Sequence, residues 1–153
     1  MSKPSFVVAS DHRGVNLKNE IAKFLKSKGF RVEDLGTNSE ESVDYPDYAI
    51  RAAEAIRDGK ADQGIVVCHS GIGVSISANK VKGVRAALCQ TVEQTELARK
   101  HTDANILALP AGFVTPELAK QIVDKWLATS FEGGRHERRI GKIKSFEERK
   151  GEH

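Results

Sequence analysis

A cysteine and a serine flank a glycine-rich turn near the middle of the chain. Cys68 ends a short apolar run, Ser70 follows two positions later, and the turn continues through Gly71, Ile72 and Gly73. The pattern predicts a buried strand, a tight turn and a helix, which together direct backbone N–H groups and side chains into one small volume. A thiolate beside such N–H groups is stabilised and can act as a base. The turn therefore predicts a site for an anionic ligand, with Cys68 as its reactive group.

The two glycines do not match the known phosphate-binding fingerprints. Gly71 and Gly73 lack the third glycine of a dinucleotide-binding turn, and the Gly-Lys-Ser/Thr end of a Walker loop is absent. A purely structural tight turn is the alternative interpretation. Spacings typical of metal ligands, such as His-x-His or Cys-x-x-Cys, do not occur, so we expect no metal site. Cys89 has no glycine turn after it and is predicted to be structural.

Other side chains that could reach this site fall near the ends of predicted elements. They are Asp11 and His12 after the first strand and Tyr45 near the second crossover. Arg135 and Arg139 lie four residues apart on the last predicted helix and share one face, which suits a phosphate; a solvated charged face is the alternative. His101 ends a helix and could reach the site only through a fold-back or from a neighbouring subunit.

The composition is typical of a globular protein. The chain has 153 residues, of which 39% are hydrophobic and 29% charged, and we expect one domain over residues 1–153. No apolar run is long enough to cross a bilayer, and the N-terminus leads directly into a predicted strand without a signal peptide. Two cysteines are too few for a disulfide scaffold, so a cytoplasmic location is expected. The net charge of +3 is mild, and glutamates interrupt the basic C-terminal segment, which disfavours nucleic-acid binding.

Hydrophobic periodicity predicts strands that alternate with helices along the chain. Short apolar runs predict strands at residues 6–9, 65–67, 84–88 and 105–109, and an alternating stretch predicts a more exposed strand at 30–35. Apolar residues at helical spacing lie between these runs, and two further helices follow the last strand. Since parallel strands require such crossovers, the chain is predicted to form an α/β, three-layer, Rossmann-like fold with a five-stranded parallel sheet. Ligands of such sheets bind beyond the carboxyl ends of the strands.

Six stretches of the chain together carry a family resemblance. They are Asp11-His12, Asp44–Pro46, Cys68–Gly73, Ser75–Lys80, His101–Asn105 and Glu132–His136. In combination they resemble the ribose-5-phosphate isomerase B family, which includes the galactose-6-phosphate isomerase subunits and tetrulose-phosphate isomerases. The resemblance covers nearly the whole chain, and the cysteine turn followed by Ser-Ile-Ser-Ala-Asn-Lys is its most specific part.

The resemblance implies a metal-free aldose–ketose isomerase that works through an enediolate and needs no cofactor. Its sites would lie at the interface of a homodimer or homotetramer, with the C-terminal helix extending to a partner subunit. Cys68 would move a proton between C1 and C2, and Ser70 would hydrogen-bond the reacting oxygens. The amides from His69 to Gly73 would stabilise the enediolate. His101 would open the furanose ring from the partner subunit.

Roles in substrate binding also follow from the resemblance. Asp11 and His12 would hold the substrate hydroxyls or the ring oxygen, and Arg135 and Arg139 would bind the phosphate across the interface. The other expected substrate contacts are Tyr45, His69, Gly71, Ile72, Gly73 and Thr102.

The chain departs from the family pattern at three positions. Gly112 stands where many members have a phosphate-binding arginine, His69 where glycine is common, and Thr102 where asparagine is common. Losing a charge-assisted contact changes what a site can bind. Ribose 5-phosphate is the expected substrate. The alternatives are a shorter or different sugar phosphate, such as a tetrulose phosphate or galactose 6-phosphate, with His69 as a replacement contact, or a non-catalytic sugar-phosphate-binding module. A flavodoxin-like nucleotide-binding domain is disfavoured by the missing phosphate-loop motifs.

Overall fold

The computed structural model describes residues 3–150, in which five parallel strands form one sheet. The strands are β1 (Phe6–Ser10), β2 (Val32–Asp34), β3 (Gln63–Cys68), β4 (Ala86–Leu88) and β5 (Ile106–Pro110). The helices are α1 (Val15–Ser27), α2 (Tyr45–Arg57), α3 (Ile72–Ala78), α4 (Val92–Thr102), α5 (Pro116–Ala128) and α6 (Arg135–Lys150). The α/β class and the five-stranded parallel sheet are therefore confirmed.

The order of the parallel strands reverses the direction of winding in the middle of the sheet. The order is β2-β1-β3-β5-β4, so the chain winds outward from β1 to β2 and then crosses back to β3. Ser10 pairs with Val67, and Cys68 pairs with Pro110, so the carboxyl ends of β1, β3 and β5 lie side by side. Open α/β sheets bind ligands in the crevice at such a reversal.

Alternate residues of the strands supply two separate cores on the two faces of the sheet. Val8 and Ile65 pack in the cluster that includes apolar residues of α1 and α5, whereas Val7 and Val66 pack in the cluster with α2 and α3. The period of two in side-chain direction explains this division, since successive strand residues point to opposite faces. The sheet is thus held from both sides, which fixes the positions of the loops at its carboxyl edge.

The two outer strands are shorter than predicted. The strand predicted over residues 30–35 covers only Val32–Asp34, because Phe30 packs edge-on against Phe6, with ring centroids 5.6 Å apart at 87°. The strand predicted over 84–88 covers only Ala86–Leu88. An outer strand pairs on one side alone, so fewer of its residues join the hydrogen-bonded ladder. Among residues 3–150, no helix combines the length and the apolar character needed to span a membrane.

Polar contacts anchor the segment that leads from α5 to α6 on the end of α4. The buried Arg99 guanidinium donates to the carbonyls of Ala104 and Thr129, at 2.6 and 3.3 Å. The Glu132 amide donates to the Lys100 carbonyl at 3.1 Å. As a result α6 begins beside the C-terminal end of α4.

Candidate active site

The turn after β1 holds Asp11 and His12 through backbone hydrogen bonds. The buried Asp11 carboxylate accepts from the amides of Arg13 and Gly14, at 3.0 and 3.2 Å, and so folds back onto its own turn. His12 is half-buried, and its Nδ1 accepts from the Val43 amide at 3.1 Å. A neutral His12 therefore carries its proton on Nε2. Both residues are brought to the carboxyl edge, as predicted.

The turn after β3 wraps backbone N–H groups around Cys68. Cys68 is only 5% exposed, and its sulfur accepts a hydrogen bond from the Gly71 amide at 3.2 Å. The Ser70 hydroxyl accepts from the Ile72 amide, also at 3.2 Å. Two of the amides expected to face an enediolate thus already bind side chains of the same turn. These two hydrogen bonds hold the Cys68 sulfur and the Ser70 hydroxyl in fixed positions within the turn.

Close contacts explain why positions 71 and 73 of this turn are both glycine. Gly71 has a left-handed φ of 74°, and a Cβ there would lie 2.6 Å from Leu88 Cδ1. A Cβ at Gly73 would lie 2.5 Å from the ring of Tyr45, so the phenol packs directly on the first turn of α3. Tyr45 is accordingly brought to the cysteine turn, although the two are 23 residues or more apart in the chain.

His69 lies on the β5 side of the same edge. Its exposed side chain faces Phe113, with ring centroids 5.6 Å apart at 58°, and its carbonyl accepts from the Gly112 amide at 2.9 Å. The residues beyond β1, β3 and β5 therefore form one continuous group. We call it the carboxyl-edge group: Asp11, His12, Tyr45, Cys68, His69, Ser70, Gly71, Ile72 and Gly73.

His101 and Thr102 lie at the opposite edge of the sheet. The Thr102 carbonyl accepts from Arg85 Nε at 2.9 Å, and the Asn105 amide donates to the Arg85 carbonyl at 3.0 Å. Arg85 and Asn105 directly precede β4 and β5, so these contacts mark the amino ends of the strands. The length of β5 separates the two edges by about 13 Å. One chain therefore does not bring His101 to Cys68, which agrees with the prediction that His101 needs a neighbouring subunit or a fold-back.

His101 belongs to a second, cationic group. Its ring stacks on that of His136 in α6, with centroids 4.3 Å apart and planes 13° from parallel. Arg135 and Arg139 lie exposed on the first turns of α6, and the side chain of neither forms an ion pair or hydrogen bond within the described chain. We call His101, Thr102, Arg135, His136 and Arg139 the amino-edge group.

The sequence analysis missed His136, although it lies in the Glu132–His136 stretch. His136 is buried, and its pKa lies below the ordinary value, first because of burial and then because of the nearby charges of His101 and Arg135. Two left-handed glycines, Gly133 and Gly134, turn the chain so that this side chain returns over His101. Burial of the imidazole depends on this turn, and the local sequence pattern carried no signal for it.

The same place contains three side chains of metal-ligand type. Possible ligand atoms of His101, Glu132 and His136 lie within 4.8 Å of one another. The lone pairs of an imidazole lie in the ring plane, so two nearly parallel stacked rings do not point at a common ion. Arg135 and Arg139 add positive charge beside them. The arrangement suits an anion better than a divalent cation.

A separate cleft of about 800 Å³ lies between α6 and β4. Ile143 and Phe146 of α6 line one side of it, and Ala86 and Ala87 of β4 line the other. Of the predicted site residues only Thr102 contributes to this cleft, so it is distinct from the carboxyl-edge group.

Comparison with known proteins places these observations in a family. The family model described as Ribose/Galactose Isomerase matches residues 6–143. Ribose-5-phosphate isomerase B of Escherichia coli is 46% identical over 140 residues, which cover 92% of this chain and 94% of the relative.

Solved structures agree with the sequence match. The ribose-5-phosphate isomerase B of Clostridium thermocellum is 51% identical, with a TM-score of 0.93 and coverage of 95% of this chain and 98% of that one. The Mycoplasma genitalium ribose-5-phosphate isomerase B, solved with bound ribulose-5-phosphate, is 46% identical, with a TM-score of 0.90 and coverage of 94% and 96%.

Proposed function

The chain belongs to the ribose/galactose isomerase family and is a sugar-phosphate isomerase, and we propose that it interconverts ribose 5-phosphate and ribulose 5-phosphate with Cys68 as the base. The observation that carries the role of Cys68 is the Gly71 amide at 3.2 Å from its sulfur, at the crevice where the strand order reverses. A thiol needs such help to act as a base near neutral pH.

The proposed reaction begins with the ring-closed sugar. His101 of a second copy gives a proton to the ring oxygen as the bond between this oxygen and C1 breaks. The anomeric hydroxyl loses its proton to solvent, from which His101 recovers one, and the open aldehyde results. The Cys68 thiolate then removes the C2 proton and leaves a cis-enediolate, and the same proton is returned to C1. A second proton passes from O2 to O1, next to the Ser70 hydroxyl. Atoms and charge balance without a redox partner or a cofactor.

The remaining residues of the two groups would bind the substrate. Asp11, His12 and Tyr45 border the sugar from the β1 side, and Gly71, Ile72 and Gly73 supply the backbone of the cysteine turn. Thr102 belongs to the proposed contribution of the partner. Arg135 and Arg139, which have no acidic partner among residues 3–150, would neutralise the phosphate.

A shared site in a homodimer or homotetramer follows from the separation of the two groups. The carboxyl-edge group holds the proposed base, whereas the amino-edge group holds the cations and His101, with the length of β5 between them. Two copies related by a two-fold axis would each supply one group to each site. The C-terminal helix α6 would then extend to the partner. Because catalysis would use a free thiol, we expect the enzyme to act in the cytoplasm.

The test of the substrate is a panel of sugar phosphates assayed for isomerisation with the full chain. Ribose 5-phosphate and ribulose 5-phosphate are expected to have the highest kcat/KM. A preference for tetrulose phosphates or galactose 6-phosphate would show that one of these sugars, and not the pentose phosphate, is the substrate. Binding of these compounds without turnover would instead indicate a non-catalytic module.

The test of the shared site is complementation between two inactive variants. Cys68→Ala and His101→Ala chains, co-expressed with different affinity tags, form mixed dimers in which one site has both residues intact. Random pairing is expected to restore about a quarter of the wild-type activity, since half of the dimers are mixed and each has one complete site. No recovery in a purified mixed dimer would show that Cys68 and His101 do not act across an interface.

A further inference from the structure

The loops after β3 and β5 are held in register at one point beyond the sheet. The Ala111 amide donates to the Cys68 carbonyl and the Gly112 amide donates to the His69 carbonyl, both at 2.9 Å. These bonds extend the pairing of Cys68 with Pro110 into the loops. Position 112 is therefore fixed directly beside position 69.

The imidazole of His69 occupies the space that a side chain at position 112 would need. A Cβ added to Gly112 would lie 2.2 Å from Cε1 and 2.5 Å from Nδ1 of His69. Gly112 is not among the residues with positive φ, so its backbone conformation is open to other amino acids. A side chain at position 112 would therefore have to displace the histidine ring, whereas the backbone would not resist it.

The ring is held by apolar contacts while its nitrogens stay available. Gly112 lies under the imidazole, and Phe113 packs against it at 5.6 Å between centroids. Neither ring nitrogen of His69 hydrogen-bonds to any residue in the part of the chain that the structure describes. A ring that is already oriented, with uncommitted donors, loses little freedom when a ligand binds.

The charged side chains around the crevice indicate which end of the substrate the His69 ring faces. The buried Asp11 carboxylate lies beyond β1, where it would repel a phosphate dianion, and the exposed Arg13 in the same turn offsets only part of this charge. The segment 111–116 beyond β5 contains no acidic residue, and His69 is the ionisable side chain next to it. The phosphate of a bound sugar is therefore favoured on the β5 side of the crevice.

We propose that the His69 imidazole, seated on Gly112, hydrogen-bonds the phosphate of the substrate, and that Gly112 is a positioning residue that makes room for it. This inference deepens the proposed function and depends on it for the identity of the phosphate ester. It assigns the phosphate subsite on this chain to a pair of residues that act together.

The experiment compares His69→Ala, Gly112→Ala and the double variant with the wild type. His69→Ala is expected to raise KM for ribose 5-phosphate about tenfold and to weaken binding of inorganic phosphate similarly, with kcat within about twofold. Gly112→Ala should have nearly the same effect, because its methyl group displaces the imidazole. The double variant should be no worse than His69→Ala, since the methyl group then has no ring to displace.

Two controls make the result specific. Lys23→Ala truncates an exposed side chain of α1 that belongs to neither group, and it should leave KM unchanged. His69→Gln keeps a hydrogen-bond donor and should recover part of the phosphate affinity. Thermal unfolding of each variant checks that the fold persists.

Each outcome decides the inference. An unchanged KM and unchanged phosphate affinity in His69→Ala would overturn the phosphate contact, and additive effects in the double variant would overturn the role of Gly112. Inorganic phosphate binding is measured by isothermal titration calorimetry, so it also decides the matter if the wild type does not isomerise ribose 5-phosphate. In that case the proposed substrate fails while the phosphate subsite is still tested.

Discussion

The two cysteines of the chain occupy comparable positions but very different surroundings. Cys68 ends β3 and Cys89 follows β4, both lie at the carboxyl edge, and both are buried, at 5% and 1% exposure. The Gly71 amide donates to the Cys68 sulfur. Burial raises the pKa of the Cys89 thiol, and a hydrogen bond with Thr95 only partly opposes this effect.

The difference comes from the conformation of the next few residues. After Cys68 the chain turns through Gly71 at a φ of 74°, which bends an amide back onto the sulfur. After Cys89 the chain continues to Thr91, whose hydroxyl caps α4 by accepting from the Gln94 amide at 3.0 Å. In the turn after Cys68 a backbone amide donates to the thiol sulfur. After Cys89 the nearby backbone amide donates to the capping threonine and so stabilises the helix instead. We therefore expect the turn that follows each strand to decide whether its cysteine is reactive or inert.

The largest effect expected from this comparison is on turnover. Cys68→Ala should lower kcat about 10³-fold, because a positioned base typically contributes this much, while Cys89→Ala should change kcat by less than about twofold. Steady-state kinetics with ribose 5-phosphate measures both. A near-normal kcat in Cys68→Ala would contradict the proposal that Cys68 is the base and would remove the functional difference between the two thiols.

A smaller difference is expected in thiol reactivity. Iodoacetamide at pH 8 should modify Cys68 at least about tenfold faster than Cys89, and ribose 5-phosphate should protect Cys68. Burial raises the pKa of the Cys89 thiol, so a smaller fraction of it is ionised at this pH than of an exposed cysteine. Mass spectrometry of the digested protein gives both rates. Equal rates in the folded protein would contradict the comparison.

The smallest effects concern the hydroxyls that follow the two cysteines. Thr91→Ala should lower the free energy of unfolding by about 1 kcal/mol through loss of the helix cap, with unchanged kcat/KM. Ser70→Ala should lower kcat/KM about tenfold through loss of its contact with the reacting oxygens, while stability changes by less than about 0.5 kcal/mol. Denaturant unfolding and kinetics separate the two. The reverse pattern, with stability lost at Ser70 and activity lost at Thr91, would show that the two turns have been assigned the wrong roles.

Much of the fold and part of the candidate site could be predicted from local pattern. Apolar runs at Phe6–Ala9 and Ile65–Val67 identified the central strands, because strands buried on both faces are apolar at every position. The pattern overestimates the lengths of the outer strands. At Phe30–Leu35 an apolar residue such as Phe30 fits the alternation, although it packs on the core outside the hydrogen-bonded ladder. The turn at Cys68 was recognisable because glycine and strand-end signals are short-range.

The sequence by itself therefore determined the α/β class, the cysteine turn and the residue types available for chemistry. These follow from interactions between residues close together in the chain, where periodicity and glycine conformation carry the information. Only the tertiary structure decided that Cys68 and His101 lie at opposite edges of the sheet, that His136 is buried against His101, and that His69 rests on Gly112. These depend on strand order and loop packing between distant segments, which no local pattern encodes.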